Sequence, residues 1–326
     1  MTKPIFVVIS AFSKQGYSII NTLVAEGNYH IRATTTRAVD NTPAALKLKE
    51  RGVEVVRADP TKKEDLHKVF KGAKAAFLLT PNIDLSDPNF NQREAEYVSL
   101  QADIALEEKV EHVIFSSVDV PTAEQLKEFK HDILSGKNKA QKYIESLPLK
   151  YVSTFNLAYF YSNQIEFFPL IKNSDGSFEL SMPLGADVEQ PYVDTYTATG
   201  PIVSEFLAHP EKYNRAVVPV VSEFLTGRQM AQTFQEVTGI KTTYKELSRE
   251  QYLEQYSFNG SPEQQLVGNR LFEVWDETSK CGYYNHDRDV TLSKKINPKQ
   301  LTWRQFLETT KWRGESFQEF RDKNGY

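Results

Sequence analysis

At 326 residues the chain has the length of two structural units of ~150 residues each. Its 40% hydrophobic and 25% charged residues suffice to bury a core. The 39 Lys and Arg against 43 Asp and Glu give a formal charge of −4, too even for direct nucleic-acid or membrane-surface binding. A single cysteine, Cys281, excludes an intrachain disulfide and a cysteine-based zinc cluster, and is the usage of a reducing compartment. No run reaches the ~18 apolar residues of a membrane span. The opening Met1-Thr2-Lys3 and a short apolar stretch ending at Ser10 do not make a signal peptide. A soluble, intracellular protein is expected.

Pro4 to Ile9 is a near-continuous apolar run, the pattern of a strand buried on both faces. After a polar turn, Gly16 to Glu26 places Ile19, Ile20, Leu23 and Val24 at helical spacing, and Gly27 closes the helix. His30 to Thr35 is a second strand. Thr42-Pro43 opens a helix to Arg51 as N-cap and first-turn proline. Val53 to Val56 and Ala75 to Leu79 are further strands, with a helix over Glu64 to Phe70 between them. A helix from about Asn91 to Glu108 precedes a strand at Val113 to Ser116. Such alternation predicts an α/β fold with a parallel, doubly wound sheet. Beyond Lys137 the spacing predicts a helix at Asn138 to Ser146, a strand at Tyr151 to Asn156 and a hairpin turn at Ser174-Asp175-Gly176. Helices at Thr195 to Ala208 and Gly227 to Val237 flank a strand at Ala216 to Val221. Trp303 to Thr309 is the clearest late helix.

In a doubly wound sheet the ligand sits beyond the carboxyl end of the first strand, its phosphates on the next helix N-terminus. Here that turn reads Ser10-Ala11-Phe12-Ser13-Lys14-Gln15-Gly16. The spacing is that of a G-x-x-G-x-x-G loop with serine at the first two glycine positions. Only Gly16, the position of close helix–strand packing, keeps its glycine. Each serine adds a Cβ where backbone turns tightly or nears phosphate. The serine hydroxyls and Lys14 are alternative phosphate contacts.

This loop resembles the G-A-T-G-x-Q-G loop of NmrA-like proteins, atypical short-chain dehydrogenases/reductases. Further matches are Thr36-Arg37, Asp59, the run Val110 to Val118, Gly136-Lys137, Tyr143-Ile144-Glu145, Tyr159 to Asn163 and Pro191-Tyr192-Val193-Asp194. The similarity covers roughly residues 4 to 246, and the remainder looks closest to fungal nitrogen-regulatory NmrA proteins. The resemblance implies a Rossmann-like NAD(P)-binding domain over 1–158 and a smaller C-terminal α+β domain over 159–326. Residues 191–208 would return to the Rossmann sheet. It also implies two outcomes: redox sensors and transcription co-regulators, cytoplasmic or nuclear, or working reductases.

NAD selection uses an acid that binds the ribose hydroxyls, whereas an arginine there accommodates the NADP phosphate. The second strand ends Thr34-Thr35-Thr36-Arg37, with no acid before Asp40. Arg37 therefore favours NADP over NAD. Asp59 either lies beside the adenine, as in the family, or caps its own loop. Phe12, Gln15, Thr80, Asn82 and Ser116 complete the candidate cofactor-binding set. Short-chain dehydrogenases use a Tyr-x-x-x-Lys pair as proton donor and ribose anchor. Four residues before Lys137 stands Ile133, and His131 reads as a surface histidine. Lys137 is left as the candidate catalytic residue, alternatively a ribose contact or a plain surface lysine. The scattered histidines predict no metal site.

The leading expectation is an NADP-responsive sensor with little or no turnover. The alternative is an NADPH-dependent reductase of a quinone-like or small carbonyl substrate, with the aromatics at Phe155, Tyr159, Phe160, Tyr161, Phe167 and Phe168 either lining its pocket or forming core. A further alternative is a scaffold with a relic cofactor site. Its regulatory protein partner would meet exposed Trp275, Tyr283, Tyr284, Trp303 and Trp312 in the C-terminal segment.

Overall fold

The computed structural model describes residues 2–119, 135–284 and 287–325. His131, Ile133 and His286 lie outside the described residues.

The first strands are β1 (Ile5–Val8), β2 (His30–Thr35), β3 (Glu54–Arg57), β4 (Ala73–Leu78), β5 (His112–Ser117) and β6 (Tyr151–Leu157). Between them run α1 (Lys14–Glu26), α2 (Pro43–Glu50), α3 (Lys63–Phe70), α4 (Phe90–Glu107) and α5 (Ser135–Ser146). Next come β7 (Tyr159–Phe160), α6 (Asn163–Glu166), β8 (Ile171–Lys172), β9 (Phe178–Met182), β10 (Gln190–Val193) and α7 (Thr195–Ala208). The chain continues through β11 (Ala216–Val220), β12 (Glu223–Leu225), α8 (Gly227–Thr238), β13 (Thr242–Glu246) and α9 (Arg249–Gln255). It ends with α10 (Pro262–Cys281), α11 (Leu292–Ile296), α12 (Trp303–Thr310) and α13 (Phe317–Asn324).

A seven-stranded sheet in the order β11-β6-β5-β4-β1-β2-β3 organises the first half. Every pairing in it is parallel, the doubly wound Rossmann-like arrangement that alternating strands and helices predict. One face buries Ile19, Leu23, Ile114, Phe155 and Phe206 under α1 and α7. The other buries Phe70, Val98, Phe115 and Ile144 under α3, α4 and α5. Helix α7 returns to α1 at close range: Gly200 N–H donates to Ser18 Oγ at 2.9 Å.

The strand at 190–193 corrects one expectation. It does not rejoin the large sheet but pairs with β7 and β12 in a separate three-stranded sheet. The returning strand is β11, parallel to β6. The predicted hairpin forms between β8 and β9. An aromatic core unites the second half, with Tyr161, Phe234, Trp275, Trp303, Phe306 and Trp312 all buried. Trp275, Trp303 and Trp312 are therefore core residues rather than exposed contact points. Hydrophobic burial of three indoles outweighs any surface role the sequence suggested for them.

Candidate dinucleotide site

The turn after β1 has the backbone of a glycine loop built with serines. Ser10 adopts φ 62°, the left-handed region that favours glycine. Its N–H donates to Thr34 Oγ1 at 3.2 Å and Ala11 N–H donates to the Thr34 carbonyl at 2.8 Å, which pins the turn to β2. Ser13 has ordinary extended backbone and caps α1, its hydroxyl accepting Gly16 N–H at 2.9 Å. A Cβ on Gly16 would stand 2.5 Å from the Ser10 carbonyl oxygen. Only glycine fits there. The first turn of α1 carries no acidic residue. The N–H groups of Lys14 and Gln15, at its first two positions, have no intrahelical acceptor. Together they could seat an anion, with the Ser13 hydroxyl already taking the next donor, Gly16 N–H.

The Lys14 side chain leaves this seat. Its ammonium pairs with Glu166 of α6 and lies among the rings of Phe160, Phe167 and Phe317. Burial pushes its pKa down, against the pull of Glu166, and the nearby Arg321 charge lowers it further.

At the end of β2, exposed Arg37 holds its guanidinium 5.6 Å from the Phe12 ring centroid. Its N–H donates to Thr35 Oγ1 at 3.1 Å. The Asp59 carboxylate accepts from Thr61 N–H at 3.0 Å and Thr61 Oγ at 2.7 Å. Those bonds, the side-chain one first, hold its pKa below the usual carboxylate range. Asp59 thus caps its own loop ahead of α3, one of the two readings its sequence position allows.

Thr80 follows β4, and Asn82 is exposed in the next loop. Lys137 stands half-buried in the first turn of α5. Its neighbour is a residue that sequence reasoning missed. Glu94 of α4 is buried, and its pKa is raised by that burial against the opposing Lys137 charge, the Thr80 side chain and the Lys137 N–H. Gly136 lets the two helices approach, since a Cβ there would be 2.6 Å from Glu94 Oε2 and from the Asn91 carbonyl oxygen. The signal was available: Glu94 shares the buried stripe of α4 with Val98, Gln101 and Ala105.

Ser116 and Ser117 are both buried at the carboxyl end of β5. Ser117 is in register with Asn156 of β6. Ser117 Oγ, Asn156 Oδ1 and, across the loop, Gln15 Oε1 are buried polar atoms without a hydrogen-bond partner among the described residues. Such atoms cost free energy unless something fills the space beside them with polar groups. The Asn156 amide donates to Asp119 at 2.8 Å, and Arg288 grips the same carboxylate at 2.9 to 3.2 Å. Tyr283 and Tyr284, half-buried, hydroxyl-bond the carbonyls of Leu157 at 2.7 Å and Asn156 at 3.1 Å. The segment after α10 is thereby strapped across the ends of β5 and β6. Phe155, Tyr159, Tyr161 and Phe168 are core. Phe167, 54% exposed, and partly buried Phe160 face Lys14 instead.

The model of the NmrA-like family matches residues 1–308. The chain belongs to the NmrA-like family. The match runs past residue 246, where the sequence resemblance ends, and takes in most of the C-terminal segment. An NmrA-like family domain-containing protein of Dictyostelium discoideum is 27% identical over 86% of this chain and 90% of its own length. An NmrA-like family domain-containing oxidoreductase of a Cladobotryum species, FrzB, is 26% identical over 86% of each. Among solved structures, the negative transcriptional regulator NmrA in complex with NAD superposes with a TM-score of 0.76 at 18% identity, covering 100% of this chain and 99% of that one. A Citrobacter triphenylmethane reductase complexed with NADP(H) gives 0.72 at 17% identity, covering 93% and 99%. These structural likenesses establish the NmrA fold. Among the described residues no helix is long and apolar enough to cross a membrane.

Proposed function

We propose that this NmrA-like protein binds NADP in preference to NAD and acts as a dinucleotide-responsive regulator with little turnover. The observation that carries the proposal is the serine loop, which keeps a glycine-loop backbone at Ser10 and, at Gly16, a tight turn that only glycine fits. A pyrophosphate would rest on the N–H groups of Lys14 and Gln15. Arg37, backed by Phe12, would take the 2′-phosphate in charge-assisted hydrogen bonds. The Gln15, Ser117 and Asn156 atoms left without a partner among the described residues would supply polar partners toward the nicotinamide end. Low turnover is supported at Lys137, whose positive charge acts on buried Glu94 and whose sequence offers no tyrosine four residues earlier. Neighbours crystallised with NAD and with NADP include NmrA itself, a regulator.

Calorimetry on the purified chain tests this directly. NADP should bind more tightly than NAD, and Arg37→Ala should equalise the two while leaving NAD binding nearly unchanged. No heat with either nucleotide at millimolar concentration would defeat the proposal.

A second reading is favoured by the oxidoreductase names of relatives such as FrzB and by the paired Ser117 and Asn156 atoms. In it NADPH supplies a hydride, and this chain's residues orient a quinone-like or small carbonyl acceptor. Ser117 Oγ–H would donate to the acceptor oxygen, and Lys137 would hold positive charge near it. NADPH oxidation across a quinone panel, abolished in Lys137→Ala, would establish this reading over the first.

A further inference from the structure

The dinucleotide loop and the last helix of the chain meet at one side chain. Lys14 is the first residue of α1, yet its ammonium is paired with Glu166, the two side chains being 17% and 27% exposed. The ammonium lies 5.5 Å from the Phe160 ring centroid, 5.8 Å from that of Phe167 and 5.2 Å from that of Phe317, at the start of α13. Arg321, one turn further along α13, stands 5.8 Å from the Phe317 ring and adds a second positive charge facing Lys14. Beside it, Tyr17 and Tyr196 meet edge to face with centroids 5.9 Å apart. Next to Lys14 in sequence, Gln15 carries a buried side-chain oxygen without a partner among the described residues, a second mark of a ligand at the same helix end.

An anion seated on the amides of Lys14 and Gln15 brings negative charge to an ammonium that Glu166 now holds. The seat and Glu166 then compete for one cation on a long, flexible stem, and the two negative charges repel each other. Resting on the dinucleotide reading above, we propose that Lys14 is a charge link between the dinucleotide seat and the C-terminal helix: occupation of the seat draws Lys14 off Glu166, and the first turn of α13 loosens from Phe160 and Phe167. Loss of the cation removes the attraction that holds Phe317 over it and leaves the Glu166 carboxylate half-buried without its partner. The rest of α13 stays attached. Phe320 is buried against Phe306, with centroids 5.9 Å apart, and Lys323 donates to the Lys311 carbonyl at 2.6 Å. Only the Phe317 end therefore opens.

Hydrogen exchange read by mass spectrometry on the full chain tests the link, with NADP occupancy verified by calorimetry on the same samples. Amides around Phe317 and in α6 should exchange about threefold faster with NADP bound than without it. Lys14→Met keeps the apolar stem among the three rings but carries no charge. With NADP raised to saturate it, this variant should show the same exchange with and without nucleotide, as should Glu166→Gln. Bound NADP with unchanged or slower exchange at Phe317 in the wild type would overturn the link while sparing the binding reading. So would a response that persists in Lys14→Met. Absence of any binding heat would overturn the dinucleotide reading, and the link with it.

Discussion

The two loop serines have different jobs, and replacing them one at a time separates stability from affinity. Ser13 has φ −72° and ψ 156°, comfortable for any residue. Glycine there relieves no strain. It exchanges a hydroxyl cap for the extra backbone freedom of glycine, a net change of a few tenths of a kcal/mol at an N-cap. Ser13→Gly should therefore cost about 0.5 kcal/mol of stability or less. In exchange it frees Gly16 N–H, now bonded to Ser13 Oγ at 2.9 Å, and takes a Cβ away from the phosphate path. A hydrogen bond to a charged group is worth ~1.5–3 kcal/mol, of which part repeats what the hydroxyl supplied. A net gain of ~1–2 kcal/mol corresponds to roughly tenfold tighter NADP binding. Ser10 is the reverse case. Its φ of 62° costs a non-glycine residue ~1–2 kcal/mol, so Ser10→Gly should raise stability by ~0.5–1 kcal/mol after the entropy loss and barely change affinity. Urea denaturation and calorimetry on both variants read the two quantities. If Ser10→Gly tightens binding and Ser13→Gly does not, the assignment of the seat to the capped N–H groups is refuted.

Two buried groups should give opposite pH dependences in one window. Burial lowers the His112 pKa from 6.5 to about 4, so the unfolded chain gains its proton first as pH falls and stability is lost on acidification. Burial raises the Asp194 pKa from 3.8 to about 6, opposed by its bonds to Thr197 and Tyr196, so the unfolded chain loses its proton first and stability falls as pH rises. Each contributes on the order of 3 kcal/mol. Denaturation between pH 4 and 6.5 should show a falling trend with pH added in His112→Gln and a rising trend added in Asp194→Asn; curves parallel to wild type would count against both. Gly200→Ala places a Cβ 2.1 Å from Thr22 Oγ1 and 2.4 Å from the Ser18 carbonyl oxygen. It should destabilise the protein by ~2–4 kcal/mol in the same assay, and a loss below ~1 kcal/mol would mean that α1 and α7 part easily.

Much of the fold is legible because it is written in local chemistry. Thr195–Ala208 matches its predicted helix at both ends, as an Asp194 N-cap and a helical stripe specify its ends without help from elsewhere. The late helices carry a legible signal too. Thr226, Ser248, Ser261, Thr302 and Ser316 each cap a helix three residues before a Gln or Glu that bonds back, the S/T-x-x-E/Q pattern. The site was legible only in part. Ser13 and Gly16 are fixed by neighbours within six positions, so their roles follow from the turn, whereas Ser10 also leans on Thr34 of β2. Lys14 and Lys137 are not fixed locally.

By itself, then, the sequence determined the parallel doubly wound sheet, the serine-for-glycine loop at its ligand end and the arginine that follows the second strand, because periodicity and turn chemistry act over a few residues. Only the tertiary structure decided what those side chains meet. Lys14 meets Glu166, distant by 152 positions, and Arg288 meets Asp119, distant by 169. Glu94 faces Lys137 because Gly136 lets α4 and α5 close together. The strand at 190–193 left the large sheet for β7 and β12, and three tryptophans that looked available to a partner were taken up by the core. A short strand or an aromatic residue has many acceptable surfaces to bury against, and local pattern does not choose among them. Competition among distant segments for the same buried area does.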